Sequence, residues 1–328
     1  MATTFLSDAD IAAACDWQRL IGAVRAAYSV PVGAEALPPR TMARTDGAWL
    51  RTLSAAPPAS PYMGFKLIAA SPRNGRVSYL AALFDRESTE LVALLDAARI
   101  TAIRTAATSA VAADLLAPQR ALRLAVVGSG LEARNHVLAL AAVRALSEVA
   151  IYSPTAAKRT ALADLIGTEL GVRAAAVGSA QLAVAGADLV IAAARSHDES
   201  PTLQGAWLEP GMTVVSIGST LPEQHEVDVE VIRRAALIVA DVPDEVAEQT
   251  GDMLDADAAG VAFRDRLHGL HELVCGRLPG RRGAEEILLY KSVGSALQDL
   301  AVAELCFSRA AELGLGTPLP GSIEPVRK

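Results

Sequence analysis

The stretch from Leu122 to His136 constrains the fold of this chain more than any other. An apolar run ends in Gly128, and Gly130 and Ala133 complete the pattern G-x-G-x-x-A before an alanine- and leucine-rich segment. This pattern predicts a strand, a tight turn and a helix: Gly128 permits the turn, Gly130 lets backbone approach a pyrophosphate, and Ala133 keeps helix and strand close. Free N–H groups at the start of that helix are a binding site for the phosphates of a dinucleotide.

The chain after Pro118 has the pattern of an α/β domain. Short apolar runs alternate with helical stretches, and near-continuous apolar strands are typical of a parallel sheet covered on both faces. We therefore expect a Rossmann doubly wound parallel sheet over residues 118–295. Its strands are predicted at Leu124–Val127, Val149–Tyr152, Val172–Val177, Leu189–Ala193, Thr213–Ile217, Leu237–Ala240 and Ile287–Tyr290.

The first 117 residues follow a different pattern. A helical period runs from Ser7 to Tyr28, and a long alanine-rich helix is predicted over residues 96–116. Between them lie strand-like runs without intervening helices, and such strands usually pair antiparallel. These runs are Trp49–Leu53, Tyr62–Ile68, Val77–Phe84 and Leu91–Leu95. We expect an α+β domain built from residues 1–117 and 296–328, on which a last helix, at about 294–313, packs back.

Composition excludes several classes of function. A length of 328 residues suffices for two domains, and a formal charge of −7 argues against nucleic-acid or anionic-membrane partners. No uncharged run reaches the ~18–20 residues of a membrane span, and the amino terminus lacks a signal-peptide pattern. The three cysteines are far apart in the chain, which predicts no disulfide framework and no metal site. We expect a cytoplasmic protein.

The residues after the second predicted Rossmann strand bear on the choice of cofactor. An acidic side chain at this point selects NAD, but here Ser153 and Thr155 follow the strand, with Lys158 and Arg159 just beyond. Hydroxyls and cations without a carboxylate favour NADP(H), and NAD(H) remains the alternative. The same residues also fit a simpler interpretation, in which Thr155 caps a helix and the two cations are solvated.

Two basic residues lie in otherwise apolar segments. Lys66 falls within a predicted strand, and Arg104 lies in a helix whose other faces are alanine and isoleucine. A buried cation requires a partner. That partner is either an internal carboxylate or an anionic ligand, which Arg104 would bind in bidentate fashion while Lys66 adds a point charge.

Several motifs together resemble the ornithine cyclodeaminase/μ-crystallin family over about residues 5–312, and the most specific of them is T-A-x-R-T-A-A. The resemblance implies a homodimer built through the amino-terminal domain, bound NAD(H) or NADP(H), and chemistry at the C–N bond of an amino acid. The motifs are Gly64-Phe-Lys66, Leu95-Asp-Ala-Ala-Arg-Ile-Thr-Ala-Ile-Arg-Thr-Ala-Ala107, Gly128-Ser-Gly-Leu-Glu-Ala133, Trp207-Leu-Glu-Pro-Gly211 and Lys291-Ser-Val-Gly294 through Asp299.

The resemblance also implies roles for single residues. Arg40, Lys66 and Arg104 match basic positions that hold the substrate carboxylate, and Lys66 and Thr220 fall at candidate catalytic positions. Glu132 departs from the family's usual glutamine, and Ala194 from its frequent threonine. The cofactor-binding positions implied in this way are Thr105, Gly128, Gly130, Leu131, Glu132, Ala133, Ser153, Thr155, Arg159, Ala194, Gly218, Ser219 and Val293.

The loop after the fifth Rossmann strand departs most from the cyclodeaminases. There it resembles G-G-D-C-P, and its aspartate handles the side-chain amine of the substrate, whereas this chain has Gly218-Ser-Thr-Leu-Pro222. Thr220 cannot accept a proton as a carboxylate does. Family members with Ser or Thr at this position tend to be imine reductases or amino-acid dehydrogenases.

Our leading hypothesis is an NAD(P)H-dependent reductase of a cyclic α-imino acid, Δ1-pyrroline-2-carboxylate or its six-membered homologue Δ1-piperideine-2-carboxylate. The enzyme alternatives are a cyclodeaminase-type lyase and an acyclic amino-acid dehydrogenase. A protein that binds NADP and a small anion without turnover is the alternative of another class. The proton donor stays open: Thr220 and Asp299 are candidates, with a loop cap and a helix-surface charge as their structural interpretations.

Overall fold

A computed structural model describes residues 2–326 and divides them into two compact units. Unit 1 joins the residues up to Arg104 with those from Ser295 onward, and unit 2 runs from Thr105 to Gly294. We expected the boundary at residue 118, where a proline ends a helix. The observed division lies within that helix, because a proline sets where a helix ends but not which core its side chains join.

The first two helices of unit 1 have side-chain caps at their amino ends. Ser7 and Asp10 form a capping box at the start of α1, and Asp16 caps α2 by accepting from the backbone N–H of Arg19. The single helix expected from Ser7 to Tyr28 is therefore two helices, because Asp16 supplies a second start signal. The elements from the amino terminus are β1 Thr4–Leu6, α1 Asp8–Ala14, α2 Trp17–Tyr28, β2 Thr41–Thr45, β3 Ala48–Ala55, β4 Tyr62–Ser71, β5 Arg76–Asp85, β6 Leu91–Asp96 and α3 Ala97–Leu116.

Unit 2 contains an eight-stranded sheet in which every neighbouring pair is parallel. Its elements are β7 Leu122–Val127, α4 Leu131–Ala141, β8 Leu146–Tyr152, α5 Ala156–Leu170, β9 Arg173–Ala176, α6 Ala180–Val184, β10 Leu189–Ala192, β11 Thr213–Ser216, α7 Val229–Arg234, β12 Ala235–Ala240, α8 Pro243–Gln249, α9 Gly251–Ala258, β13 Leu267–Gly269, α10 Leu270–Val274 and β14 Ile287–Lys291. Three-residue β13, at the sheet edge, was not expected from sequence.

The strand order of unit 2 is β13-β12-β14-β11-β10-β7-β8-β9. The five strands β9, β8, β7, β10 and β11 have the spatial order 3-2-1-4-5 that is typical of dinucleotide-binding folds, with β7 as strand 1, and β14 lies between β11 and β12. The order in which consecutive strands are added to the sheet reverses between β7 and β10, and ligands bind beyond the carboxyl ends of the strands at such a point. The expected Rossmann doubly wound sheet is thus confirmed.

The carboxyl-terminal segment returns to unit 1 as α11 Ala296–Leu313 and β15 Thr317–Pro318. The seven-stranded sheet of this unit has the order β15-β1-β6-β5-β4-β3-β2, and its strands from β2 to β6 pair antiparallel in succession, as expected. Helix α11 packs against α2 and β4, so the last helix belongs to the same unit as the amino terminus, as the sequence predicted.

Two cysteines that are far apart in the chain lie together in unit 1. The sulfur atoms of Cys15 and Cys306 are 3.1 Å apart, and both are free thiols. The sequence showed no paired cysteine spacing because this proximity is created by the packing of α11 near the start of α2. Within residues 2–326, every helix is too short or too polar to cross a bilayer. His, Cys, Asp and Glu side chains of this part of the chain form no group of three suited to hold a metal ion.

Candidate active site

Lys66 is buried in the middle of β4, where it pairs with Leu53 on one side and Ala81 on the other. Its side chain is 1% exposed, and its Nζ lies 2.7 Å from Oδ1 of Asp299. Asp299 is in the first turn of α11 and is equally buried, so the positive end of the helix dipole also stabilises its charge. The interpretation of Asp299 as a helix-surface charge is wrong, because α11 turns this face toward the sheet of unit 1.

Arg104 contacts the same carboxylate. Its Nε donates to Oδ1 of Asp299 at 2.9 Å, and its Nη1 donates to Oε1 of Gln298 at 2.8 Å. Gln298 in turn donates through Nε2 to the hydroxyl oxygen of Tyr28 at 2.9 Å. These bonds fix the plane of a guanidinium that is 6% exposed. The internal carboxylate that the sequence left open as a partner of both cations is therefore present.

A third cation adds to this cluster, and sequence reasoning missed it. Arg51 is 7% exposed on β3, and Arg51, Leu53 and Ala55 are the buried alternate residues of that strand. Burial lowers the pKa of Lys66 to about 8; Asp299 opposes this effect, whereas Arg104 and Arg51 add to it. The charges that act on Lys66 thus comprise one carboxylate and two further cations. The alternation of side chains along β3 could have predicted that Arg51 is buried, because it lies on the same face as Leu53 and Ala55.

Arg40, the third basic residue predicted to hold a carboxylate, is half-buried immediately before β2. Strand β3 lies between β2 and β4 in the sheet. The structure therefore brings Lys66 and Arg104 together on Asp299 and places Arg40 at the start of the edge strand.

The glycine-rich turn of unit 2 has the geometry that its sequence predicts. Gly128 has a φ of +133°, and a Cβ on it would lie 2.6 Å from the carbonyl oxygen of Ala193. A Cβ on Gly130 would meet no atom within 4 Å, so the space beside this N-cap residue of α4 is open. Ala133 is fully buried. The turn thus has no room for a side chain at Gly128 but has open space at Gly130, where the helix begins. This geometry fits the binding of a pyrophosphate.

The end of β8 carries hydroxyl groups. Ser153 is 6% exposed and accepts from Oγ of Ser129 at 2.8 Å, while Nη1 of Arg159 donates to its carbonyl oxygen at 2.8 Å. Thr155 is the N-cap residue of α5, but its side chain makes no capping hydrogen bond. Lys158 is exposed. The hydroxyl pair next to the glycine turn fits the ribose of a dinucleotide.

Two further loops follow the adjacent strands β10 and β11. Thr220 donates through both its backbone N–H and its hydroxyl to Oε1 of Gln224, at 3.0 and 3.1 Å. Ser219 donates to the carbonyl oxygen of Gln224 at 2.5 Å. The loop-cap interpretation of Thr220 is thus observed. Ala194 and Gly218 are in these loops, and their backbone N–H groups bind a buried glutamate that is described below.

The remaining predicted cofactor positions also lie in unit 2. Thr105 and Val293 are buried, on α3 and just after β14. Leu131 is 62% exposed at the start of α4, and Glu132 is half-buried in the first turn of that helix. All thirteen positions therefore belong to the unit with the dinucleotide-binding topology, whereas Arg40, Lys66 and Arg104 belong to unit 1.

Comparison with known proteins identifies the family of this chain and several of its relatives. The sequence model of the ornithine cyclodeaminase/mu-crystallin family matches residues 1–314. A Δ1-pyrroline-2-carboxylate reductase of Bacillus cereus is 30% identical over 77% of this chain and 79% of its own length. The ketimine reductase mu-crystallin of Mus musculus is 32% identical over 69% of this chain and 67% of its own length.

A solved structure of a reductase has a similar fold. The structure of Thermococcus litoralis Δ1-pyrroline-2-carboxylate reductase in complex with NADH and L-proline superimposes with a TM-score of 0.89 at 26% identity, covering 97% of this chain and 100% of that one. The match of the family model spans both the charged cluster of unit 1 and the glycine turn of unit 2. On these grounds the chain belongs to the ornithine cyclodeaminase/mu-crystallin family.

Proposed function

We propose that the protein reduces a cyclic α-imino acid, Δ1-pyrroline-2-carboxylate or Δ1-piperideine-2-carboxylate, to the cyclic amino acid. Its reaction class is that of an NAD(P)H-dependent oxidoreductase acting on a C–N bond, in keeping with the reductases to which it is related. The substrate class combines a carboxylate, which needs a cationic site, with a C=N carbon that accepts a hydride.

The observation that carries this proposal is the charge balance around Lys66. Lys66 and Arg104 share one carboxylate, Asp299, and Arg51 adds a third buried cation. A buried cluster with excess positive charge is stabilised when an anion enters it. The carboxylate of an imino acid is an anion that Arg104, held in a fixed plane by Gln298, recognises through its planar fork of N–H donors.

The reduction needs a hydride at the imine carbon and a proton at the ring nitrogen. A bound nicotinamide supplies the hydride. Lys66 supplies the proton in our proposal, because its pKa of about 8 is close to neutral pH, where an acid transfers a proton efficiently. Neutral Lys66 then regains a proton from solvent after product release. Asp299 accepts hydrogen bonds from both cations and orients them. Thr220, whose hydroxyl binds Gln224, has no role in proton transfer in this scheme.

The groups at the end of β8 support NADP(H) as the cofactor. Ser153 leaves room for a 2′-phosphate where a carboxylate would repel it, and Arg159 adds a positive charge beside it. NAD(H) stays the alternative. We further propose a homodimer formed through unit 1, as the family resemblance implies; an archaeal alanine dehydrogenase of similar structure, 25% identical, is a dimer with bound NAD.

The decisive experiment is a substrate screen that follows NAD(P)H oxidation. The substrates are Δ1-pyrroline-2-carboxylate, Δ1-piperideine-2-carboxylate, pyruvate with ammonia or methylamine, and ornithine. We expect oxidation with one or both cyclic imino acids and formation of the cyclic amino acid. Oxidation with pyruvate and ammonia alone would instead identify an acyclic dehydrogenase, and binding of the cofactor without any turnover would identify a binding protein.

A further inference from the structure

Glu226 connects two loops of unit 2, and nothing in the sequence singled it out. Its side chain is fully buried. Oε2 accepts from the backbone N–H groups of Ile217 and Gly218, both at 2.8 Å, and Oε1 accepts from the backbone N–H of Ala194 at 3.1 Å. One carboxylate therefore ties the loop after β10 to the loop after β11.

The carboxylate is itself held by a closed network of buried groups. Ser216 donates to Oε2 of Glu226 at 2.7 Å and accepts from Nζ of Lys291 at 2.9 Å. Lys291 lies 2.6 Å from Oδ2 of Asp252, and Oδ1 of Asp252 accepts from the backbone N–H of Glu226 at 2.8 Å. These groups are all at most 1% exposed. Such a satisfied network fixes its members in one arrangement.

The position of these loops in the sheet gives the network a role. The glycine turn follows β7, and Ser153 follows β8. The pyrophosphate and the adenosine ribose are therefore assigned to that half of the fold. A dinucleotide continues across the switch point into the other half, and β10 is the neighbour of β7 there. The loops after β10 and β11 are thus the ones that meet the nicotinamide half.

We propose that Glu226 is a positioning residue for the nicotinamide half of the cofactor. Its ionised carboxylate accepts from backbone N–H groups of both loops and thereby holds Ala194 and Gly218 in the arrangement that binds the dinucleotide. A Cβ on Gly218 would collide with this carboxylate, so loop and glutamate are in direct contact. The inference rests on the dinucleotide part of the proposed function and not on the imino acid.

The ionisation of Glu226 makes the proposal testable. The pKa of Glu226 is raised to about 7, mainly by burial. Lys291 and the donors Gly218 and Ser216 oppose this rise, and Asp252 contributes to it. A protonated carboxyl group has one oxygen that donates, so it cannot accept all four hydrogen bonds. The loops therefore lose an anchor as the pH falls through about 7.

Two ion pairs of other charged groups lie near these loops. Arg195 and Glu199 form a half-exposed ion pair after β10 at 3.4 Å. His225 directly precedes Glu226 and lies 3.2 Å from a carboxylate oxygen of Asp255. His225→Gln removes this neighbouring imidazole and is a required control, which should keep the loss of affinity at low pH if Glu226 causes that loss.

The test is a fluorescence titration of the full-length protein with NADPH and NADH between pH 5.5 and 8.5. For the wild type we expect affinity to fall as the pH drops through about 7. Glu226→Gln should weaken binding of both nucleotides at least tenfold at pH 8 and make the affinity for NADH independent of pH in this range, because glutamine offers one acceptor oxygen and does not titrate. Asp188→Asn is the matched control. Asp188 is also buried and accepts a backbone N–H, that of Arg123 at 2.8 Å, but it precedes β10 at the opposite end of the strand.

Asp188→Asn should bind both nucleotides within twofold of the wild type, with an unchanged pH profile. If Glu226→Gln does not fold, Ser216→Ala replaces it. Loss of the Ser216 hydroxyl bond should weaken binding about threefold and move the fall in affinity to higher pH, because that bond lowers the pKa of Glu226. A folded Glu226→Gln with wild-type affinity and pH profile would overturn the proposal. Normal nucleotide binding without imine reduction would refute only the proposed substrate, and no nucleotide binding by the wild type would refute both.

Discussion

Lys66 and Asp299 are 233 residues apart in the chain and form a buried ion pair at 2.7 Å within unit 1. Oδ1 of Asp299 also accepts from Arg104, whereas its buried Oδ2 has no hydrogen-bond partner among residues 2–326. One carboxylate oxygen thus serves two cations, and the proposed function assigns these cations to the substrate as well.

Arg104→Lys keeps the charge but loses the planar fork, so it is not a conservative change. A lysine cannot reach Asp299 and Gln298 while it also binds a carboxylate. We expect kcat/KM for the imino acid to fall at least tenfold, which corresponds to about 1.4 kcal/mol of transition-state stabilisation.

Arg99→Lys is the matched control, because Arg99 is on the same helix and binds Asp8 through Nε and Nη2 at the surface. It should stay within twofold of the wild type. If Arg104→Lys instead retains full efficiency and thermal stability, the carboxylate site is wrongly placed.

The pKa of Lys66 near 8 predicts a loss of carboxylate binding at alkaline pH. Lys66 is charged below about pH 8 and becomes neutral above it, so the affinity for a non-reducible planar carboxylate such as pyrrole-2-carboxylate should fall as the pH rises through 8. The same shift affects stability with the opposite sign. Between about 8 and 10.5 the unfolded chain binds more protons than the folded protein, so this group makes the folded state more stable as the pH rises.

Titration calorimetry with the cofactor present, from pH 6.5 to 9.5, measures the effect on binding. Asp299→Asn should move the loss of affinity to lower pH, because Asp299 is the charge that favours protonated Lys66. Affinity that stays constant to pH 9.5 in the wild type would show that the charge of Lys66 does not contribute to binding.

Ser153→Asp should reverse the choice of cofactor. A carboxylate at the end of β8 repels a 2′-phosphate and accepts hydrogen bonds from a 2′-hydroxyl, so NADPH affinity should fall at least tenfold while NADH affinity is kept. Ser153→Ala is the control, since it removes the hydroxyl that binds Ser129 without adding charge. Fluorescence titration of the wild type and both variants with each cofactor measures the six affinities, and a clear NADH preference of the wild type would contradict the argument from Ser153 and Arg159.

The loop with Thr220 predicts the stoichiometry of the reaction. A cyclodeaminase regenerates its cofactor in each cycle and needs a carboxylate for the distal amine, whereas a reductase consumes one reduced cofactor per turnover. Thr220 is bound to Gln224 and supplies no carboxylate. We expect one NAD(P)H oxidised per cyclic amino acid formed, and no ammonia from ornithine with catalytic NAD. Ornithine conversion at the rate of imine reduction would show that another acid has taken this role.

The fold of unit 2 and the elements that flank its glycine turn could be predicted from local sequence patterns. Gly128, Gly130 and Ala133 act through their immediate neighbours, and the period of the apolar strands is read from adjacent residues, so both are local properties. The same holds for β3 to β6 of unit 1, whereas the sequence did not predict β1, β2 and β15. Helix starts are local as well, but the one at Asp16 was missed because a continuous apolar period hid it.

Which charged groups lie in contact could not be predicted from local patterns, because it depends on long-range packing. Lys66 and Arg104 were recognisable as buried cations, but their partner Asp299 is 233 and 195 residues away from them in the chain. Arg51 reaches the cluster through the pairing of β3 with β4. Glu226 and Lys291 likewise join one network through strand order and not through spacing. The physical reason is that an ion pair depends on distance and burial, which long-range packing sets, whereas local patterns determine only the type of each element.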